Sequence, residues 1–207
     1  MSPTKAPLPK AAATKKPATK KPVAKKPAIP GDTEVGRLAK DARVWLMKTE
    51  PDVFSFEDLM KRPGQRECWD GVRNYQARNF MRDSMKVGHW VVFYHSSTEP
   101  PGVAGLARIV EEARPDLTAL DPKSEYHDPK ATHADPRWCC VTVGRPRALS
   151  RYVALDSLRA DHRLADMLLL RPGQRLSILP ITDAEFETVC ALGGADARAL
   201  FKETLDT

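Results

Sequence analysis

The sequence predicts a mixed α+β (α/β) domain, a small barrel of mostly antiparallel strands with short helices at its periphery, preceded by a disordered basic tail. Three observations lead there. The apolar runs are short and alternate with short helical segments that open on capping residues. No strand–helix–strand repeat is visible, which argues against a doubly wound parallel sheet. A chain of 207 residues with 42% hydrophobic content can bury one core and still carry extra segments.

Charge divides the chain. The net charge is +6, yet residues 1–30 hold eight lysines and no acid, so subtracting them leaves −2 on the remainder. Lys15-Lys16-Pro17-Ala18, Lys20-Lys21-Pro22-Val23 and Lys25-Lys26-Pro27-Ala28 form a five-residue repeat. Proline stops helix propagation and like-charged lysines repel one another, so the tail is expected to be extended and disordered. It resembles the Lys/Pro/Ala tails of histone-H1-like proteins. Those six lysines are candidates for a nonspecific tether to polyanions; a solubilising leader without a partner is the alternative. Residues 31–42 read as a linker with a helical turn near 35–40. The expected organisation is tail and linker over 1–42, a folded domain over 43–193 and a C-terminal extension over 194–207.

Within the domain, residues 44–48 form a short apolar strand. Ser55 with Asp58 three positions on is a capping box, with Phe54 and Leu59 as the apolar staple, and that helix ends by Pro63-Gly64. Residues 67–69 make a short strand. Residues 89–95 and 103–112 are strands, with Gly102 and Gly105 allowing close backbone approach. Residues 114–136 are a long Pro- and Asp-rich loop, a length that often marks function. A strand over 138–143, a helix over 153–160, a helical turn at 164–169 and a last strand over 175–179 follow. Thr182 and Glu185 form a second capping box whose helix is expected to stop at Gly193. A short helix is expected after Asp196.

Cys68, Cys139, Cys140 and Cys190 show no Cys-x-x-Cys spacing, and are expected to be reduced, mostly buried thiols of an intracellular protein. Cys139 and Cys140, being adjacent, should point to opposite sides of a strand. No apolar run is long enough to span a membrane, and the N-terminus lacks the apolar core of a secretory signal.

The chemistry concentrates in Cys68-Trp69-Asp70-Gly71-Val72-Arg73-Asn74-Tyr75-Gln76-Ala77-Arg78-Asn79. Asp70-Gly71 signals a turn, after which Asn74 can cap a helix with Tyr75, Arg78, Asn79 and Arg82 on one face. Amides read base edges, aromatic rings stack on bases and guanidinium groups hold phosphates. An ordinary amphipathic helix with solvated arginines and a core Tyr75 and Phe80 fits the same pattern. Other chemistries have weaker support. His127, Asp128, His133 and Asp135 share a loop, but that is a poor zinc pattern. His95-Ser96 lacks the Gly-x-Ser-x-Gly context of a hydrolase elbow. No Walker or Rossmann pattern is present.

The run from Trp69 to Asn79 resembles the signature of the EVE domain family, within the PUA-like superfamily. Trp45-Leu46-Met47-Lys48-Thr49-Glu50-Pro51 resembles its opening block, where Ser is usual in place of Thr49. Phe93-Tyr94-His95-Ser96, Tyr126-His127-Asp128-Pro129-Lys130, Pro136-Arg137-Trp138 and Arg175-Leu176-Ser177-Ile178 resemble later blocks in the right order. The resemblance spans about residues 44–190. It implies a PUA-like pseudo-barrel and a pocket for a modified nucleobase flipped out of a duplex, such as a 5-methyl- or 5-hydroxymethylcytosine in DNA.

On that footing the candidate pocket surfaces are Trp69, Tyr75, Tyr94 and Trp138. Asn74, Gln76 and Asn79 are candidates for the base edge, with Ser96 and Thr49 as hydroxyl partners. Lys48, Arg73 and Arg78 are candidates for phosphates. Asn74 as a mere helix cap, Trp138 as core, and Asp70 paired with an arginine as a loop brace are the structural alternatives. The expected protein is a non-catalytic monomeric reader of modified bases that needs neither metal nor cofactor and prefers DNA to RNA. High Ala and Arg content points to a GC-rich bacterium and a nucleoid-associated cytoplasmic location; in a eukaryote a nuclear one is expected. The rivals are a modified-RNA binder, an architectural protein acting through its tail, and an enzyme acting on modified nucleotides.

Overall fold

The most apolar run, Trp90–His95 (β3), is buried at every position, as a strand covered on both faces must be. It lies between β1 (Val44–Thr49), its parallel partner, and β4 (Gly102–Pro115), its antiparallel one. The computed structural model describes residues 30–203. It completes one six-stranded sheet with β2 (Arg66–Cys68), β5 (Cys139–Ala154) and β6 (Ile178–Ile181), in the order β2-β5-β4-β3-β1-β6. All neighbouring pairs except β1–β3 are antiparallel. The mixed, mostly antiparallel class expected from the sequence is what the chain adopts.

β4 and β5 are 14 and 16 residues long, and their ladder shifts register at four places. Each such irregularity bends and further twists the strands, so the sheet wraps around its core instead of lying flat. Gly105 makes part of that wrapping possible, because a Cβ there would run into the ring of Phe56. Phe56 in turn meets Phe93 edge-on at 5.5 Å, and Trp69 meets the same Phe93 at 5.2 Å. The helices are α1 (Pro30–Asp41), α2 (Phe56–Lys61), α3 (Tyr75–Asp83), α4 (Leu155–Ala160), α5 (Asp183–Gly193) and α6 (Ala197–Lys202). Both expected capping boxes form, at Ser55 with Asp58 and at Thr182 with Glu185.

Several sequence expectations need correction. The linker is a twelve-residue helix, α1, because Val35 and Ala39 have a surface to bury against and Glu34 pairs with Arg171 at 2.7 Å. β5 runs on far beyond residue 143, through the polar stretch around Arg145 and Arg147, because β4 offers it a partner strand there. The last strand begins at Ile178, and the turn over 164–169 is two short 3₁₀ pieces, His162–Leu164 and Leu168–Leu170. α5 ends at Gly193, as expected, but the left-handed cap that stops it is Gly194 with φ of 78°, while Gly193 is buried against Leu149. The six tether lysines and the disorder expected of the tail lie outside the described residues.

The cysteine expectation fails for one pair. Cys68 and Cys140 form a disulfide with their Cα atoms 6.1 Å apart. β2 is antiparallel to β5 with Cys68 opposite Thr142, which brings Cys140 alongside. The two lie 72 residues apart in the chain, so no local spacing could announce them. Cys139 and Cys190 are buried free thiols, as expected.

On the central pair of strands, buried Arg108 lies 3.6 Å over the ring of Trp90 and donates to the carbonyls of Gly88, Leu200 and Glu203. It fastens the C-terminal segment to the sheet. No described helix is long and apolar enough to cross a membrane.

Two histidines are held neutral inside this structure. Nε2 of His95 accepts the Phe56 N–H that opens α2, at 3.1 Å, and Nδ1 of His89 accepts from the Trp45 indole at 3.2 Å. Desolvation pushes both below their ordinary 6.5. Below 6.5 the unfolded chain therefore binds more protons than the folded one. The stability they contribute is complete above 6.5 and is lost as pH falls through their folded values. Chemical denaturation at stepped pH should show this decline, and a His89→Gln/His95→Gln chain should show a shallower one.

Candidate functional site

The turn after β2 is where the specialised side chains cluster, and it is held from one point. The carboxylate of Asp116 is fully buried at the end of β4 and accepts four hydrogen bonds. They come from the Gly71 amide at 3.2 Å, the Thr118 amide at 2.9 Å, the Thr118 hydroxyl at 2.6 Å and Nη1 of Arg73 at 2.7 Å. Although desolvation works against it, the bonds from Thr118 and Arg73 hold this carboxyl below the usual carboxylate range. Arg73 uses the rest of its fork on the carbonyl of Tyr126, through Nε at 2.8 Å and through Nη2, and on the Thr118 hydroxyl at 3.2 Å. One guanidinium thus ties the signature turn to the long loop. Gly71 has a φ of 71°, and a Cβ there would sit 3.0 Å from the Tyr126 ring, so the two segments meet as closely as a glycine permits.

These two segments, with the ends of β1 and β3 and the approach to β6, enclose an open cavity of about 850 Å³. Its wall includes the predicted Lys48, Thr49, Trp69, Arg73, Asn74 and Ser96. Trp69 is buried and lines the cavity wall. Lys48 is partly buried, has no ion pair among the described residues, and is pushed below the usual lysine range by desolvation. The hydroxyl of Thr49 donates to the Phe54 carbonyl at 3.0 Å, and that of Ser96 to the Thr49 carbonyl at 3.1 Å. Both hydroxyls brace the rim with their protons, which leaves their lone pairs as acceptors.

The remaining predicted residues take other places. Asn74 caps α3, its side-chain oxygen accepting the Gln76 and Ala77 amides at 2.9 and 3.1 Å, so its acceptor is committed. Arg73 is a brace and not a free phosphate ligand, since every arm of its fork has an internal acceptor. Tyr75, Gln76, Arg78, Asn79, Tyr94 and Trp138 lie outside the cavity wall. Tyr94 is core, its hydroxyl pushed up to about 12 by burial. Asn79 accepts from Arg78 at 2.9 Å, and Arg78 donates to the Arg137 carbonyl at 2.6 Å. The Tyr75 ring stacks on Trp138 at 4.8 Å, Arg78 lies 5.0 Å from the Tyr75 ring and 6.0 Å from that of Trp138, and Arg137 donates to the Tyr75 hydroxyl. Trp138 donates to Asp128 at 2.7 Å, so that loop aspartate is occupied in holding the buttress together. The face predicted to touch a base therefore supports the turn from behind.

Sequence reading missed Phe54, Arg62, Glu67, Tyr126, Arg175 and Ser177 as cavity residues. Tyr126, Arg175 and Ser177 stand in blocks that the sequence made conspicuous, so their signal was present. The partner of Arg73 was missed altogether, since nothing local distinguishes Asp116 from the other acids of the loop.

If Arg73 is the brace, its loss strands a buried carboxylate. Arg73→Ala should lower stability by about 3 kcal/mol in urea denaturation. Arg73→Lys should recover less than half of that, because an ammonium cannot reproduce the fork.

The comparisons with known proteins fall on this same region. A model of the EVE domain matches residues 43–192. Human thymocyte nuclear protein 1 is 43% identical over 165 residues, covering 72% of this chain and 72% of that protein. A Pseudomonas syringae protein of known crystal structure is 45% identical with a TM-score of 0.68, covering 72% of this chain and 99% of its own. The crystal structure of human THYN1 protein in complex with 5-methylcytosine-containing DNA is 43% identical with a TM-score of 0.68, covering 74% of this chain and 98% of that one. The turn, the long loop and the cavity between them all lie within the matched span, and the chain belongs to the EVE domain family.

Proposed function

We propose that this chain is a non-catalytic reader of DNA carrying 5-methylcytosine-type bases, and that the cavity beside Trp69 accepts the base after it leaves the duplex. The observation that carries the reading is the cavity itself. It is open to solvent, walled on one side by an indole and on another by a partly desolvated ammonium that has no ion pair among the described residues. A flipped base loses its stacking and needs an apolar replacement surface with polar groups at its edge. Trp69 can supply the surface, and Lys48 a donor to a base carbonyl or a neighbouring phosphate. The kinship with a protein crystallised on 5-methylcytosine-containing DNA supports the same partner.

The domain cannot attract DNA by net charge, because the chain beyond residue 30 carries −2. The Lys-rich tail is the proposed source of long-range affinity. Counterion release then requires the salt dependence to reside mainly in the tail, at roughly −0.9 in slope per phosphate neutralised.

Fluorescence anisotropy on matched methylated and plain duplexes, with an RNA of the same sequence, tests both parts. Trp69→Ala should weaken binding to the methylated duplex by roughly tenfold or more. Because Trp69 also packs on Phe93, Lys48→Met serves as the second variant; it should weaken binding without lowering the melting temperature. Deleting residues 1–30 should flatten the salt slope and leave the methylated-to-plain ratio intact. Wild-type affinity in both folded variants would remove the cavity from the reading, and tighter binding to methylated RNA would redirect it.

A further inference from the structure

A reader of 5-methylcytosine faces a specific competitor. Thymine carries the same 5-methyl group and the same 2-carbonyl, so neither a methyl contact nor a donor to the carbonyl tells them apart. The two bases differ at C4, where cytosine presents an amino donor and thymine a carbonyl acceptor. Burying the shared methyl contributes equally to both. The N3 atoms differ too, an acceptor in cytosine and a donor in thymine, so thymine is rejected either by a donor at N3 or, at C4, by a group that accepts a hydrogen bond and is penalised when it faces another acceptor.

Four carboxylates line the cavity: Glu50, Glu67, Asp70 and Glu125. Three have partners. Glu67 is paired with Arg62 at 2.6 Å and accepts the Cys68 amide at 3.1 Å. Glu50 accepts the Ser97 hydroxyl at 3.0 Å. Glu125 stands beside the Tyr126 hydroxyl, which desolvation and then the Glu125 charge push above its ordinary range. Among the described residues Asp70 has no ion pair and no side-chain hydrogen bond to another residue, and it feels the Arg73 guanidinium only as a nearby charge. Its obvious partner was Arg73, three residues on, but Asp116 has taken that guanidinium. The brace therefore frees the one carboxylate that directly follows Trp69.

We propose that Asp70 is the specificity-determining residue of the cavity, accepting the 4-amino group of a flipped 5-methylcytosine and excluding thymine. This rests on the reading of the cavity as a base pocket. The surroundings suit the role. Desolvation at the wall, then the negative charges of Asp116 and Glu67, push the Asp70 carboxyl above the ordinary aspartate range. Such a carboxylate gains from a donor and is further burdened by a carbonyl oxygen.

The test uses the full chain and three duplexes of one sequence that differ at one position, where cytosine, 5-methylcytosine or thymine stands opposite the same guanine. The thymine is then a mismatch and flips more readily, so a wild-type preference for 5-methylcytosine is a stringent result. Wild type should bind 5-methylcytosine about tenfold or more above thymine, the worth of a hydrogen bond to a charged group. In Asp70→Asn the amide can turn its NH₂ toward a carbonyl. Its 5-methylcytosine-to-thymine ratio should shrink by about tenfold, while its 5-methylcytosine-to-cytosine ratio stays as in wild type. Asp70→Ala should lose the same discrimination by removing the acceptor. Variants that keep the wild-type ratio to thymine, or that weaken all three duplexes in parallel, overturn the role of Asp70. A wild type that does not prefer 5-methylcytosine to cytosine overturns the underlying reading instead.

Discussion

The Arg73–Asp116 contact is the constraint on which the rest of the site depends. A buried carboxylate with four donors is tolerable only if every donor stays in place. Two of the donors belong to the signature turn and two to the start of the long loop. Arg73 then reaches past Asp116 to the backbone of Tyr126. A polar network of this kind fixes geometry more than it adds stability, since pairing must first offset the desolvation of both ions. The cavity is the space left between two segments that one guanidinium holds at a set distance.

Behind that brace the construction is apolar. Phe93, from the centre of the sheet, meets Trp69 on one side and Phe56 on another. Gly105 lets Phe56 approach the sheet, and His95 receives the first amide of α2. The segment carrying Phe54, which forms part of the rim, is thus positioned by the core. Tyr75, Trp138, Arg78 and Arg137 form a second stack behind the turn. The pocket wall is rigid because both of its supports are packed.

How much of this was legible in the sequence follows from the range of each interaction. Capping is local, so Ser55, Asn74 and Thr182 could be found by eye. The burial of β3 follows from unbroken apolar composition. The Cys68–Cys140 bridge, the reach of β5 along β4 and the choice of Asp116 by Arg73 each join residues distant in the chain, and no local pattern encodes them. The arginine brace was foreseen as a type of contact but attached to Asp70. Assigning it to Asp116 changes what Asp70 is free to do. Asn79 and Tyr75 misled for the opposite reason. Their side chains suit base recognition, and the helix face they share points to the loop that it supports.

That the cavity beside Trp69 holds the modified base is tested most directly by a crystal structure of the full chain on a duplex with a single 5-methylcytosine. The expected result is an extrahelical 5-methylcytosine inside the cavity, against Trp69 and within hydrogen-bond distance of Asp70, with Arg73 still on Asp116. A complex in which every base stays stacked in the duplex and the cavity holds only solvent would contradict it.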